Sequence, residues 1–168
     1  NDLFDYLKFH NIYQPIILGH SMGGKTAMNF ALKHPKLLSK LFIIDISTRF
    51  YPRHHDYIMD ALLKLDLKKM NKRVEVENEL SKSIKDVSLL NFLLKNLFWS
   101  EPQKLNFRFN LKSLYANIDN IGSEIISNNR FVNPSFFFRG ENSDYISNSD
   151  IKSISDFFPN SKLITISN

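Results

Sequence analysis

The run Gly19-His20-Ser21-Met22-Gly23-Gly24-Lys25 sets a hydroxyl nucleophile among closely spaced glycines. A dense apolar stretch, Pro15-Ile16-Ile17-Leu18, precedes it, and residues of helical composition from Lys25 to His34 follow. Gly19-x-Ser21-x-Gly23 between a buried strand and a helix is the pattern of a nucleophile elbow. The bend is so sharp that the serine is held in a strained conformation with its Oγ at the top of a sheet. The chain has 5 glycines, three of them between 19 and 24. Gly19 and Gly23 are expected to be required because a Cβ at either would collide with the neighbouring strand or helix. Such a serine performs acyl transfer: it attacks a carbonyl while a base, oriented by a carboxylate, takes its proton. The oxyanion formed needs backbone N–H donors, and Met22, directly after Ser21 at a helix start, is placed to be one.

The base is harder to find. His20 adjoins the nucleophile with its side chain expected to point away, His10 and His34 belong to helix ends, and His54 and His55 open the segment after the second strand. None of the five is a good base for Ser21. No His/Asp/Glu set has metal-ligand spacing, and acyl transfer by serine needs neither metal nor cofactor. Lys25-Thr26 is not a Walker phosphate loop, because the first glycine of that pattern is missing.

Stepping outward, the elements that must position Ser21 alternate strand and helix. Residues 2–12 read as the end of a helix, 15–19 as a strand buried on both faces, 22–34 as the elbow helix stopped by Pro35, and 41–46 as a second strand. Strand, helix, strand within about thirty residues predicts a parallel βαβ unit. Residues 54–100 are charged and helical, with apolar spacing such as Leu89, Leu90, Leu93, Leu94 and Leu97 and no strand signal. They read as a helical cap over the carboxyl ends of the strands. Residues 105–117 are expected to return the chain to the sheet, 135–140 to form a third strand, 150–158 a helix and 162–166 a fourth strand. The division is 1–50 core with the elbow, 51–117 cap insertion, and 118–168 return to the core.

Composition bounds the alternatives. With 168 residues, 43% hydrophobic and 13% aromatic, the chain has the makings of a globular core. The charge of +5, from 22 Lys+Arg against 17 Asp+Glu, is scattered, as in Lys64-Leu65-Asp66-Leu67-Lys68-Lys69, and not gathered into a nucleic-acid-binding stripe. No apolar run reaches the roughly 20 residues of a membrane span. The absence of cysteine excludes disulfides and a thiol nucleophile and fits a reducing, cytoplasmic setting.

Gly19-His20-Ser21-Met22-Gly23-Gly24-Lys25, Leu41-Phe42-Ile43-Ile44-Asp45-Ile46, Arg108-Phe109-Asn110-Leu111 and Phe138-Arg139-Gly140-x-Asn142-Ser143 follow one another in that order. Together they resemble the small acyl-ester esterases of the α/β-hydrolase fold, bacterial enzymes with mitochondrial relatives. The resemblance implies that this chain carries the later half of the fold. The His-Gly oxyanion loop would lie upstream of Asn1, and the catalytic histidine beyond Asn168. It implies short to medium acyl esters or thioesters as substrates. For the acid, Asp45 at the end of the strand beside the elbow strand is preferred, since strands lie about 4.8 Å apart. Asp144 is the alternative, one residue past the usual acid slot, which Ser143 occupies. Phe92, Leu93, Phe98, Trp99, Phe107 and Phe109 either wall an acyl pocket or pack cap against sheet. Arg108 either meets a substrate carboxylate or anchors an acidic residue of the cap. Two other readings share the fold: a carbon–carbon bond hydrolase or lipase, and a non-catalytic binding or scaffold protein. Without the base and the second oxyanion donor, residues 1–168 alone are expected to have little or no hydrolase activity.

Overall fold

A computed structural model describes residues 2–53 and 56–167; His54 and His55 lie outside the described residues. In chain order the elements are α1 (Asp2–Phe9), β1 (Ile16–His20), α2 (Met22–Lys33), β2 (Lys40–Ile44), α3 (Asp56–Leu63), a 3₁₀ turn at Leu67–Lys69, α4 (Arg73–Ser83) and α5 (Val87–Leu94). There follow β3 (Leu97–Glu101), β4 (Lys104–Phe107), α6 (Leu111–Ala116), α7 (Ile118–Ile121), β5 (Ser135–Gly140), α8 (Asp150–Phe157) and β6 (Ser161–Ile166). They divide into two compact units, Asn1–Tyr51 with Ile121–Asn168, and Pro52–Asn120.

The first unit is an α/β layer structure. Its sheet runs β1-β2-β5-β6, every pair parallel. The short apolar strands need cover on their faces, and α2 and α8 supply amphipathic stripes for it. Leu41, Ile43 and Phe137 are fully buried with Met28 and Ala31 of α2, and Phe158 packs edge-on against Phe137 at 5.5 Å. Phe42 stacks with Phe136 at 5.0 Å across the β2–β5 ladder. α2 stops at His34, whose N–H closes on Phe30, because Pro35 disfavours continuation. β1 departs from the expectation of burial on both faces. It is the sheet's edge, and Ile16 and Leu18 are 59% and 62% exposed.

The second unit has its own core, in which Ile58, Leu62, Val76, Leu80, Leu90, Leu93, Leu97, Leu105 and Phe107 are buried together. Asp86 caps α5, accepting from the N–H groups of Ser88 and Leu89. Here the structure corrects the sequence reading twice. A strand, β3, begins at Leu97 inside the stretch read as wholly helical. Residues 104–107 do not rejoin the parallel sheet; β4 pairs antiparallel with β3 as a separate hairpin. Leu97-Phe98-Trp99 and Leu105-Asn106-Phe107 are short β-compatible runs around Pro102-Gln103, and Gln103 takes the turn's positive φ of 63°. Pairing with each other satisfies their backbone groups locally. Among the described residues, no helix is long and apolar enough to cross a membrane.

Candidate active site

The carboxyl ends of β1 and β2 bring the candidate nucleophile and acid side by side. In the ladder Gly19 pairs with Ile43 and His20 with Ile44. The ladder then continues one step past the strands: Ser21 N–H donates to Ile44 O at 3.0 Å, and Asp45 N–H donates to Phe138 O at 2.8 Å. Ser21 is thus bonded to the residue immediately before Asp45. Both residues leave regular structure at this point with positive φ, 50° at Ser21 and 52° at Asp45. Ser21 combines its φ with ψ of −119°, a sparsely populated conformation for a residue with a Cβ. Asp tolerates the left-handed region better than most residues, which suits it to a strand's abrupt exit.

Ser21 is half-buried at the N-cap of α2, yet among the described residues its side chain makes no capping bond. Its carbonyl accepts from Gly24 N–H at 2.8 Å and Lys25 N–H at 3.2 Å, closing the first turn. Met22 is the first residue of α2, where an N–H has no intrahelical acceptor and the dipole is positive. His20 is exposed.

The glycines divide differently from expectation. A Cβ on Gly19 would sit 2.4 Å from Gly23 O, so the elbow's doubled-back chain does demand glycine there. Gly23 is the correction: a Cβ there would meet nothing within 4 Å, because the residue lies on the exposed side of α2. The second demanding position is Gly24, whose Cβ would fall 2.4 Å from Ile46 Cγ2, where α2 crosses the chain leaving β2.

Asp45 is held by a side chain from the turn after β5. Ser143 Oγ donates to Asp45 Oδ1 at 2.6 Å and accepts from Tyr145 N–H at 3.3 Å. Ser143 thus bonds the carboxylate preferred from sequence as the acid. Asp144 is exposed and meets Arg49 through its backbone carbonyl at 2.9 Å.

Sequence reasoning missed Lys25 as anything but a motif letter. It is only 6% exposed, and its Nζ donates to the carbonyls of Thr48 at 3.2 Å, Arg49 at 2.6 Å and Ser123 at 2.8 Å. Burial, and then the Arg49 guanidinium, pushes its ammonium down from 10.5 to about 8, against the smaller opposing pull of Glu124 and Asp150. The legible signal was a lysine in a helix's first turn, where the dipole disfavours a cation. Tyr51 lies beneath, with Lys25 Nζ 5.1 Å and Arg49 Cζ 4.2 Å from its ring centroid. Burial raises the Tyr51 phenol, whose oxygen accepts from Ser47 N–H at 2.7 Å and donates to Tyr145 O.

The residues suggested for an acyl pocket all fall in the second unit, and they part company there. Phe107 and Leu93 belong to that unit's core, with Phe109 stacked on Phe107 at 5.0 Å. Phe92 and Trp99 are 63% and 45% exposed. Among the described residues Arg108 has no carboxylate partner; its guanidinium lies 5.1 Å from the Phe98 ring centroid. A groove of about 880 Å³ in this unit is lined by Leu63, Leu67, Phe109 and Leu111 and flanked by Lys68 and Arg108.

A serine at a strained bend between a parallel strand and its helix, at the carboxyl edge of a parallel sheet, defines the class as an α/β protein with a tight strand-to-helix elbow. The chain belongs to the alpha/beta hydrolase fold family, whose profile matches residues 2–168. It is 33% identical over 167 residues to a Haemophilus influenzae protein, covering 98% of this chain and 56% of that one. It is 33% identical over 165 residues to the Danio rerio protein named "sn-1-specific diacylglycerol lipase ABHD11", covering 95% and 52%. The chain thus spans about half the length of these curated relatives. Among solved structures, a "Marine microorganism esterase" superposes with a TM-score of 0.94 at 38% identity, covering 99% of this chain and 67% of that one.

Proposed function

We propose that the whole protein is a carboxylic ester or thioester hydrolase that works on short to medium acyl groups through an acyl-enzyme. Ser21 Oγ attacks the acyl carbonyl carbon as its proton passes to a histidine supplied from outside residues 1–168. The C–O or C–S bond then breaks, and the alcohol or thiol departs with that proton. Water, deprotonated by the same base, attacks the acyl carbon and releases the acid and free Ser21. Asp45 orients the imidazole and balances its charge. Met22 N–H is one oxyanion donor, and a second comes from outside this chain. The 51–117 insertion acts as the cap that sets acyl preference, with Phe92, Trp99, Phe107 and Arg108 the first positions to vary. A reducing, cytoplasmic setting accords with a chain free of cysteine. Esterase and lipase names among the relatives point the same way.

The observation that supports this reading is Ser21 at φ 50°, ψ −119°, bonded through its N–H to the residue preceding Asp45. The test is fluorophosphonate labelling of the full-length protein, with turnover of p-nitrophenyl acetate, longer acyl esters and acyl-CoAs. Ser21→Ala is expected to abolish labelling and cut kcat by on the order of 10⁶. Asp45→Asn is expected to cut it by roughly 10⁴, and Asp144→Asn to leave it within a few-fold. Labelling that survives Ser21→Ala would refute the proposal, and full turnover by residues 1–168 alone would refute the external base.

A further inference from the structure

Lys25 is a buried cation that the proposed chemistry does not use. It stands in the first turn of α2, four residues after Ser21, where the helix dipole and the loss of water both oppose a charge. Three carbonyls from two other segments offset that cost. Those of Thr48 and Arg49 come just after Asp45, and that of Ser123 comes from the chain re-entering the first unit. The two segments are themselves joined: Tyr51 N–H donates to Gly122 O, and Ile125 N–H to Thr48 O, each at 2.8 Å. One ammonium therefore ties the helix that begins at Ser21 to the segment that begins at Asp45.

We propose that Lys25 is a positioning residue: its ammonium clamps the segment following Asp45 onto the helix presenting Ser21, holding nucleophile and acid at a fixed separation. The inference rests on the Ser21–Asp45 reading above. Methionine at position 25 fills a similar volume but donates nothing, leaving three carbonyls to find water and the segment free to shift. Arginine is no substitute, because its planar fork needs a different arrangement of acceptors. A displacement of about 1 Å at a catalytic group is enough to cost on the order of 10²-fold in rate.

The test uses the full-length protein with p-nitrophenyl butyrate. Lys25→Met is expected to lower kcat by roughly 10–100-fold while KM stays within about threefold. Because the clamp works through Asp45, adding Lys25→Met to Asp45→Asn should cause no further fall, a non-additivity that a general loss of stability would not produce. Gly122→Ala attacks the clamp from its other side, since a Cβ there would lie 2.1 Å from Tyr51 O. It should reproduce the kcat loss at unchanged KM, and it carries the test if Lys25→Met does not fold. Unchanged kcat, or a penalty that multiplies in full with Asp45→Asn, overturns the clamp. Activity that persists in Ser21→Ala overturns the underlying reading instead.

Discussion

At the scale of single residues, the site is built from conformations that most side chains avoid. Ser21 and Asp45 both hold positive φ, and tight packing at Gly19 and Gly24 keeps the bend from relaxing. Gly19→Ala, forced against backbone, is expected to lose about 1–3 kcal/mol of stability or more. Gly23→Ala, with open space around it at the second position of α2, should gain about 0.4–1 kcal/mol by restricting the unfolded chain. Chemical denaturation of the two variants distinguishes these outcomes. Lys25 gives a pH signature. Its ammonium, facing Arg49, Glu124, Asp150 and the Tyr51 ring, loses its proton near 8 in the fold and near 10.5 when unfolded. Between those values the unfolded chain binds more protons, so this group makes stability rise with pH. The stability of the parent protein minus that of Lys25→Met should therefore climb from pH 7.5 to 10. A flat or falling difference contradicts the assignment.

At the scale of elements, three segments show how the sheet's carboxyl edge is secured. Asp150, 4% exposed in the first turn of α8, accepts from Ser147 N–H at 2.7 Å and Ser147 Oγ at 2.9 Å, and pairs with Arg49 at 3.4 Å. Arg49 in turn reaches the Asp144 carbonyl, so α8, the turn after β5 and the segment after β2 are tied together. Asp150→Ala leaves these donors without their acceptor and should cost roughly 2–3 kcal/mol, read as a lower denaturation midpoint at unchanged slope. The parallel strands and α2 were legible because their apolar runs are bounded by Gly, Pro and polar residues. The β3–β4 hairpin was not. Its strands are short, and Leu97 continues the i, i+3, i+4 spacing of Leu90, Leu93 and Leu94, so the first strand reads as more helix. Only the pairing of Trp99 with Leu105 and Leu97 with Phe107 decides for a strand.

At the scale of the whole molecule, β1 is an exposed apolar edge of the sheet. Ile16 and Leu18 are exposed beside Tyr13 at 83% and Phe9 at 80%. Such an edge is a template for pairing with another chain. Residues 1–168 expressed alone are expected to self-associate as concentration rises, and Leu18→Lys should shift sedimentation toward monomer. Identical sedimentation of the two would show that the edge is not what drives association.

The residues themselves determined that a serine sits on a strand-to-helix bend within an α/β fold. That information is local: glycine spacing, an apolar run before and a helical run after obey short-range steric rules. They also offered two carboxylates for the acid, Asp45 preferred on strand spacing, with no view of the partners either would have. What surrounds Asp45 was decided by tertiary structure alone, since Ser143 and Phe138 reach it from a strand some ninety residues away, through sheet register. The same holds for Lys25, whose three acceptors are backbone carbonyls that every residue carries and no composition reveals. It also holds for the glycines, where only the packed neighbours distinguish Gly24, pressed against Ile46, from Gly23, open to water.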